Sequence, residues 1–337
     1  MRYPTLVAGL FAATALAAPL AVPAAAQADR PELLVYTYDS FVSDWGPGPA
    51  VTEAFEAVCD CRLNLVGVGD GAALLARLQL EGARAAADVV LGLDTNLTER
   101  AAATGLFAPH GIEAEFDLPV EWDDALFLPF DWGWFAFVHD RDRVPEPPSN
   151  FRELIESDLS IVIQDPRSST PGLGLMMWVE AAYGDEAAEI WAGLAPRILT
   201  VTSGWSEAYG LFLEGEADMV LSYTTSPAYH LIAEDDDSKA AAPFDEGHYM
   251  QIEVAGVLAS SDQPDLARQF MEFMVSDTFQ SIIPTTNWMY PAVTPEAGLP
   301  EGFETLHVPE TSLLFSGIDA ATIRDAALER WRNALVQ

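Results

Sequence analysis

The chain has 337 residues, half of them hydrophobic, with 52 acidic against 16 basic residues, a net charge of −36 and a single lysine, Lys239. That length suits two domains with ample cores, and that charge repels nucleic acid and anionic lipid, so neither is expected as a partner. Acidity this diffuse reads first as a way to stay soluble in salt, and only second as attraction for a cationic ligand.

Met1-Arg2 is a short basic start, Leu6 to Val22 is apolar, and Ala26-Gln27-Ala28 fits a small-x-small cleavage pattern. Residues 1–28 are therefore expected to be a signal peptide, cleaved before Asp29 on export to the periplasm. An uncleaved membrane anchor is the alternative, weakened by Pro19 and Pro23. "LLVYTY" then reads as a buried strand and "PAVTEAFEAVC" as a helix, with Val51, Phe55 and Val58 on one face. Cys59 and Cys61, the only cysteines, follow in "VCDCRL". They are too few for a metal site, and a short-loop disulfide pinning a helix–strand turn is expected. "RLNLVGV" is a strand, "DGAALLARLQLEG" a helix with Asp70 as cap and Gly82 as stop, and "ADVVLGL" a third strand. This β-α-β-α-β run predicts a mostly parallel sheet flanked by helices.

"FLPFDWGWFAFVHD", 127–140, is aromatic and strand-like. A second α/β set follows: helix "NFRELIES", strand "SIVIQDP", helix "TPGLGLMMWVEAAYG", strand "LTVT", helix "SEAYGLFLEGE" and strand "ADMVLSY". The acidic stretch 233–243 reads as a surface loop, "YMQIEVAGVLA" as a strand, and "PDLARQFMEFMVS" and the terminal "AATIRDAALERWRNALV" as amphipathic helices. Two α/β halves without a linker or repeat predict a cleft between them, and ligands in such folds sit beyond the carboxyl ends of the strands.

Aromatic residues gather at those ends: Tyr38 and Trp45 after the first strand, Trp205 before a helix, Tyr223 and Tyr229 at and beyond a strand end, and Trp288 and Tyr290 in "IIPTTNWMYP", read as a loop. Each alone is better explained by packing at a loop base. Together, at a cleft, they suit a flat cationic ring. Asp39, Asp44 or Asp70 can supply a carboxylate for ring amines or charge, and Asp70 can equally be only a helix cap. Ser168, Ser169 and Thr170 stand at a helix start, as a phosphate or hydroxyl site or as ordinary caps. The five histidines are scattered, the Gly67-x-Gly69-x-Gly71 spacing misses the dinucleotide fingerprint, and no residue pair demands catalysis.

The strings "VYTYDSFVSDWGPGPAV", "DVVLGLDTNL", "QDPRSSTPGLGL", "GWSEAYGLFL", "VLSYTTSPAYH", "EGHYMQIEVA" and "IIPTTNWMYP" closely resemble the periplasmic thiamine-binding proteins of bacterial thiamine ABC importers, from about Glu32 to Pro291. The resemblance implies a two-lobed α/β fold of the periplasmic-binding-protein type II class, related to ferric-ion-binding proteins. Residues 29–128 with 252–337 would form the first lobe and 129–251 the second. It further implies capture of thiamine, with its mono- and diphosphate, and delivery to a membrane permease by a monomer without cofactor, resident metal or catalysis. Position by position, the family's ligand-binding residues fall on Tyr38, Trp45, Asp70, Ser169, Trp205, Tyr223, Tyr229 and Trp288. Asp70 would accept from the aminopyrimidine, Tyr229 and Trp288 would pack on the rings, and Ser169 would face the hydroxyethyl or phosphate end. Gly69 departs from the resemblance, standing where an acidic residue is expected. Two rivals remain open here: a ferric-ion binder using Tyr223 and Tyr229, and a thiamine-cleaving enzyme of similar fold, which would need a cleft cysteine.

Overall fold

The computed structural model describes residues 30–335, so the expected signal peptide lies outside the described residues. The first half runs β1 (Glu32–Thr37), α1 (Gly48–Cys59), β2 (Arg62–Gly67), α2 (Gly71–Glu81), β3 (Val89–Asp94), α3 (Thr98–Ala102) and β4 (Phe107–Ala108). Then come β5 (Phe127–Asp140), α4 (Phe151–Glu156), β6 (Ile161–Gln164), α5 (Thr170–Tyr183), α6 (Ala187–Leu194), β7 (Ile198–Thr202), α7 (Trp205–Leu213), β8 (Met219–Tyr223), α8 (Pro227–Ala233) and β9 (Lys239–Ala241). The chain closes with β10 (His248–Leu258), α9 (Pro264–Met274), α10 (Asp277–Thr286), β11 (Tyr290–Pro291), β12 (Ser312–Leu313) and α11 (Gly317–Leu335).

The strands order as β2-β1-β3-β10-β5-β8-β6-β7. β1 pairs parallel with β2 and β3, and β6 pairs parallel with β7 and β8. Between these two parallel sets lie two long antiparallel strands. β5 pairs with β10 over Phe127–Trp134 and with β8 over Phe135–His139, so one strand runs from the first sheet into the second. The mostly parallel expectation thus holds in each half and gives way where the halves join. β3 and β10 are buried along their whole length, and β10 carries Gln251 and Glu253 into that buried sheet.

The cores follow the periodicity. Val51 and Phe55 of α1 are buried as expected, whereas Val58, in the last turn, is exposed; Phe55 packs edge-on against Phe270 of α9, with ring centroids 5.0 Å apart. α5 is buried from Thr170 to Glu180, as a helix apolar on nearly all sides must be. Its Trp178 sits among Phe137, Phe151 and Phe244 and donates to the Gly247 carbonyl. α11 packs on α5 and α6 of the second half and on α3 of the first, so the span 252–337 does not keep to one side of the molecule. Among the described residues no helix is long and apolar enough to cross a membrane.

Several local expectations need correction. The stretch 233–243 is not all loop: Lys239–Ala241 forms β9 on the edge of β5, and Lys239 pairs with Asp140. Ile282 to Thr286 belongs to α10, with Pro284 inside the helix although proline has no N–H to give to the carbonyl one turn back. Helices α3, α6 and α8, five to eight residues long, are too short for periodicity to reveal.

Cys59 and Cys61 form the expected disulfide at the α1–β2 turn, where Asp60 takes a left-handed φ of 48°. A loop this short restricts the unfolded chain little. Replacing both cysteines by serine is expected to cost about 1–2 kcal/mol, read as a shift in urea midpoint, with ligand affinity unchanged.

Candidate functional site

A cavity of about 230 Å³ lies between the halves at the strand ends. From the first half, β1 delivers Tyr38, the following loop Trp45, the start of α2 Asp70, and the turn after α10 Asn287, Trp288 and Met289. From the second half come Trp205 and Tyr209 of α7, Tyr223 at the end of β8, Ser226 and Tyr229. The central strand β10 contributes Glu253.

Each aromatic wall is held from behind. Tyr38 fits because residue 92 is glycine, in β3: a Cβ there would lie 2.2 Å from the Tyr38 ring, and Gly92 has a φ of +103°. Trp205 stacks on Tyr209 at 4.9 Å and donates to the Ser222 hydroxyl at 2.8 Å. Tyr209 stacks in turn on His230, whose Nε2 lies 3.0 Å from its hydroxyl. Glu234 takes hydrogen bonds from the Tyr229 hydroxyl and from His230 Nδ1, which holds its carboxyl below the usual range. Trp288 meets Tyr229 edge to face at 5.4 Å. At the mouth Trp45, 55% exposed, approaches Trp205 from the opposite half at 6.0 Å.

The two halves also touch through Asp70. Its Oδ1 accepts from the Gly71 N–H, capping α2, and its Oδ2 accepts from the Ser169 hydroxyl at 2.8 Å. One turn on, the Ala73 N–H donates to the Ser168 carbonyl. The approach requires glycine at 71, where a Cβ would lie 2.3 Å from Thr170 Oγ1. Burial raises the Asp70 carboxyl, against the pull of the Ser169 and Gly71 hydrogen bonds.

Glu253 brings a carboxylate into the cavity wall, and Asp131 and Asp94 are buried in the sheet beside it. Glu253 of β10 lies opposite Asp131 of β5 and also opposite Asp94 of β3 in register. Asp131 is fully buried and accepts from Asn287, whose amide also donates to the Tyr38 hydroxyl. Burial pushes Asp94 up to about 7 and Asp131 up to about 8, and burial with the nearby Asp131 charge raises Glu253 well above the carboxylate range. Folding therefore takes up protons that the unfolded chain has released above pH about 4, and this contribution to stability falls as pH rises from about 4 to about 8. Asp131→Asn is expected to gain stability over the parent at pH 8 and little at pH 4, read from thermal midpoints at the two pH values.

Seven of the eight residues expected to bind ligand line one cavity: Tyr38, Trp45, Asp70, Trp205, Tyr223, Tyr229 and Trp288. Ser169 is fully buried and reaches the cavity through Asp70. Asp44 is exposed, and Asp39 pins the Gly69 N–H. Tyr290 belongs to the core, stacked on Trp132 at 4.8 Å. Sequence reasoning missed Glu253, Asp131, Asn287 and Tyr209. The signal for the first two was an acid in the middle of an apolar strand, in "QIEVAGV" and "LPFDWGW", since a carboxylate is rarely buried without purpose.

The sequence profile described as bacterial extracellular solute-binding protein matches residues 47–281. The thiamine-binding periplasmic protein of Escherichia coli K12 is 54% identical over 309 residues, covering 91% of this chain and 94% of the relative. A solved structure named periplasmic thiamin binding protein superposes with a TM-score of 0.89 at 54% identity, covering 91% of this chain and 96% of that one. Iron-bound HitA from Pseudomonas aeruginosa superposes with a TM-score of 0.72 at 20% identity, covering 90% and 99%, and shares the fold alone.

Proposed function

The chain belongs to the bacterial extracellular solute-binding proteins, among the thiamine-binding periplasmic proteins, and on that premise we propose that it captures thiamine between its halves in the periplasm and hands it unaltered to the permease of an ABC importer. The observation that carries the reading is an aromatic cavity, built from both halves, into which Asp70 and Glu253 bring carboxylates. Aromatic faces attract a flat cation, and a desolvated contact of this kind contributes about 2 kcal/mol. Trp288 and Tyr229 are the rings for the thiazolium, and Asp70 accepts from the aminopyrimidine. Ser169 acts by holding Asp70, and the polar Ser40, Ser206 and Ser226 in the wall suit the hydroxyethyl group or the mono- and diphosphate.

The halves, 29–128 with part of 252–337 and 129–251, close about β5 and β10. The contacts of Asp70 with Ser169 and of Ala73 with Ser168 belong to the closed form, the shape that a permease reads. The protein acts as a monomer, exported through a cleaved signal peptide, without cofactor or resident metal.

Two features speak against the rival readings. A thiamine-cleaving enzyme needs a thiolate in the cleft, but the two cysteines are joined to each other at the α1–β2 turn, away from the cavity. A ferric site would use the Tyr223 and Tyr229 phenolates, yet burial and the Glu253 charge raise Tyr223 well above its usual value, and Tyr229 is turned to Glu234. Incubation with thiamine and an amine nucleophile, followed by dialysis and mass spectrometry, tests the reading. One equivalent of intact thiamine retained is the expected result. A cleaved pyrimidine product, or no thiamine retained, would overturn it.

A further inference from the structure

We propose that Glu253 and Asp131 are the element of the site that reads ligand charge: facing each other across β10 and β5, they share one proton in the empty protein and release it to solvent when a flat organic cation enters. The inference rests on the thiamine reading above and adds to it a specificity determinant and a proton linkage.

The geometry comes from the sheet. Glu253 and Asp131 are register partners, so their side chains leave the sheet on the same face and a few ångströms apart. Both are buried, and Glu253 forms part of the cavity wall. Each has one oxygen engaged by a neutral amide: Gln251 Nε2 donates to Glu253 Oε1 and Asn287 Nδ2 to Asp131 Oδ2. The other oxygens, Glu253 Oε2 and Asp131 Oδ1, are buried without a partner. Among the described residues no Lys, Arg or His bonds to either carboxylate. The groups that act on the pair are Tyr38 beyond β1 and Asp70 at the head of α2. Asp94 of β3 stands opposite Glu253, and Tyr223 at the end of β8 feels all four carboxylates. Arg324 of α11 acts on Asp94, not on the pair.

Two buried acids this close cannot both ionise without a counter-charge. A proton between them satisfies the empty site. A cation in the cavity supplies the missing charge in its place, so the proton becomes free to leave. The pair titrates as a unit, and burial raises both members, Asp131 to about 8. Where the pair still holds its proton, cation binding must displace it and affinity falls with acidity. At a pH that has already removed the proton, the dependence flattens. A neutral ligand of the same shape displaces nothing and gains nothing.

Titration calorimetry at about pH 7, in two buffers of different ionisation enthalpy, counts the protons. The ligands are thiamine and a neutral isostere with carbon in place of the thiazolium nitrogen. The expected result is about half to one proton released per thiamine and none per isostere. Thiamine affinity should rise several-fold, up to about tenfold, per pH unit between about pH 6 and 8. In Glu253→Gln the release should vanish, the pH profile flatten, and the preference for thiamine over the isostere drop by about ten- to a hundredfold. Asp131→Asn should lessen the release, since burial alone still raises Glu253, and it reads the same linkage if Glu253→Gln fails to fold. Thiamine bound with no proton released, or release retained in both variants, would overturn the inference while leaving the proposed function standing. Failure of the parent protein to bind thiamine would overturn both.

Discussion

Replacing Trp288 by alanine is expected to weaken thiamine binding by about 2 kcal/mol, roughly thirtyfold, without lowering the stability of the empty protein. The expectation comes from how the residue is held. α10 ends at Thr286, and the N–H groups of Asn287 and Trp288 both donate to the Ile283 carbonyl. Trp288 therefore occupies the left-handed position after the helix, with a φ of 56°, where glycine or asparagine is usual. A bulky residue there costs about 1–2 kcal/mol, and strain of this kind concentrates at ligand sites. Its ring lines the cavity and meets Tyr229 edge-on. Trp288→Gly separates the two effects: it should bind as weakly as the alanine variant yet unfold at a higher denaturant concentration than the parent. Affinity unchanged in both variants would remove Trp288 from the ligand's surroundings.

The second large effect is at Asp70. Asp70→Asn is expected to cost about 1–3 kcal/mol of thiamine affinity with little change in stability. Asparagine caps a helix about as well as aspartate, so the bond to the Gly71 N–H survives, and its amide can still meet the Ser169 hydroxyl. What is lost is a charge in a buried site between the halves, and with it the strong acceptor for a ring amine. Ser169→Ala should give a smaller loss in the same direction, because it frees the carboxylate without removing it. A double variant no weaker than Asp70→Asn alone would show that Ser169 works through Asp70. If Asp70→Asn instead binds thiamine at parental strength, its only function is as the α2 cap.

Much of this was legible because it is local chemistry. Asp70 and Gly82 mark the ends of α2 through the hydrogen bonds that any helix needs at its ends. Fourteen consecutive residues from Phe127 to Asp140 are β5 as read, because aromatic and β-branched side chains fit a pleated, buried surface. The aromatic residues at strand ends met in one cavity because a parallel α/β sheet brings those ends together. What stayed hidden depends on contacts distant in sequence. Glu253 and Asp131 are 122 positions apart, and only the antiparallel join of β5 to β10 sets them face to face. Asn287, joining Asp131 to Tyr38, follows a helix that Pro284 disguised as loop. Ser169 was expected at the ligand, but the tight approach of Gly71 to Thr170 places it behind Asp70. α11 gave its helical period but not its position, since an amphipathic stripe does not say which half it covers.

Rings and carboxylates from both halves are proposed to enclose one flat, positively charged molecule. Calorimetric titration of the mature protein with thiamine at neutral pH is the decisive measurement. A stoichiometry of one and a dissociation constant below about 1 μM are expected, with affinity weakened in parallel by Trp288→Ala and Asp70→Asn. No binding at micromolar thiamine, or tight binding indifferent to both substitutions, would contradict this proposal.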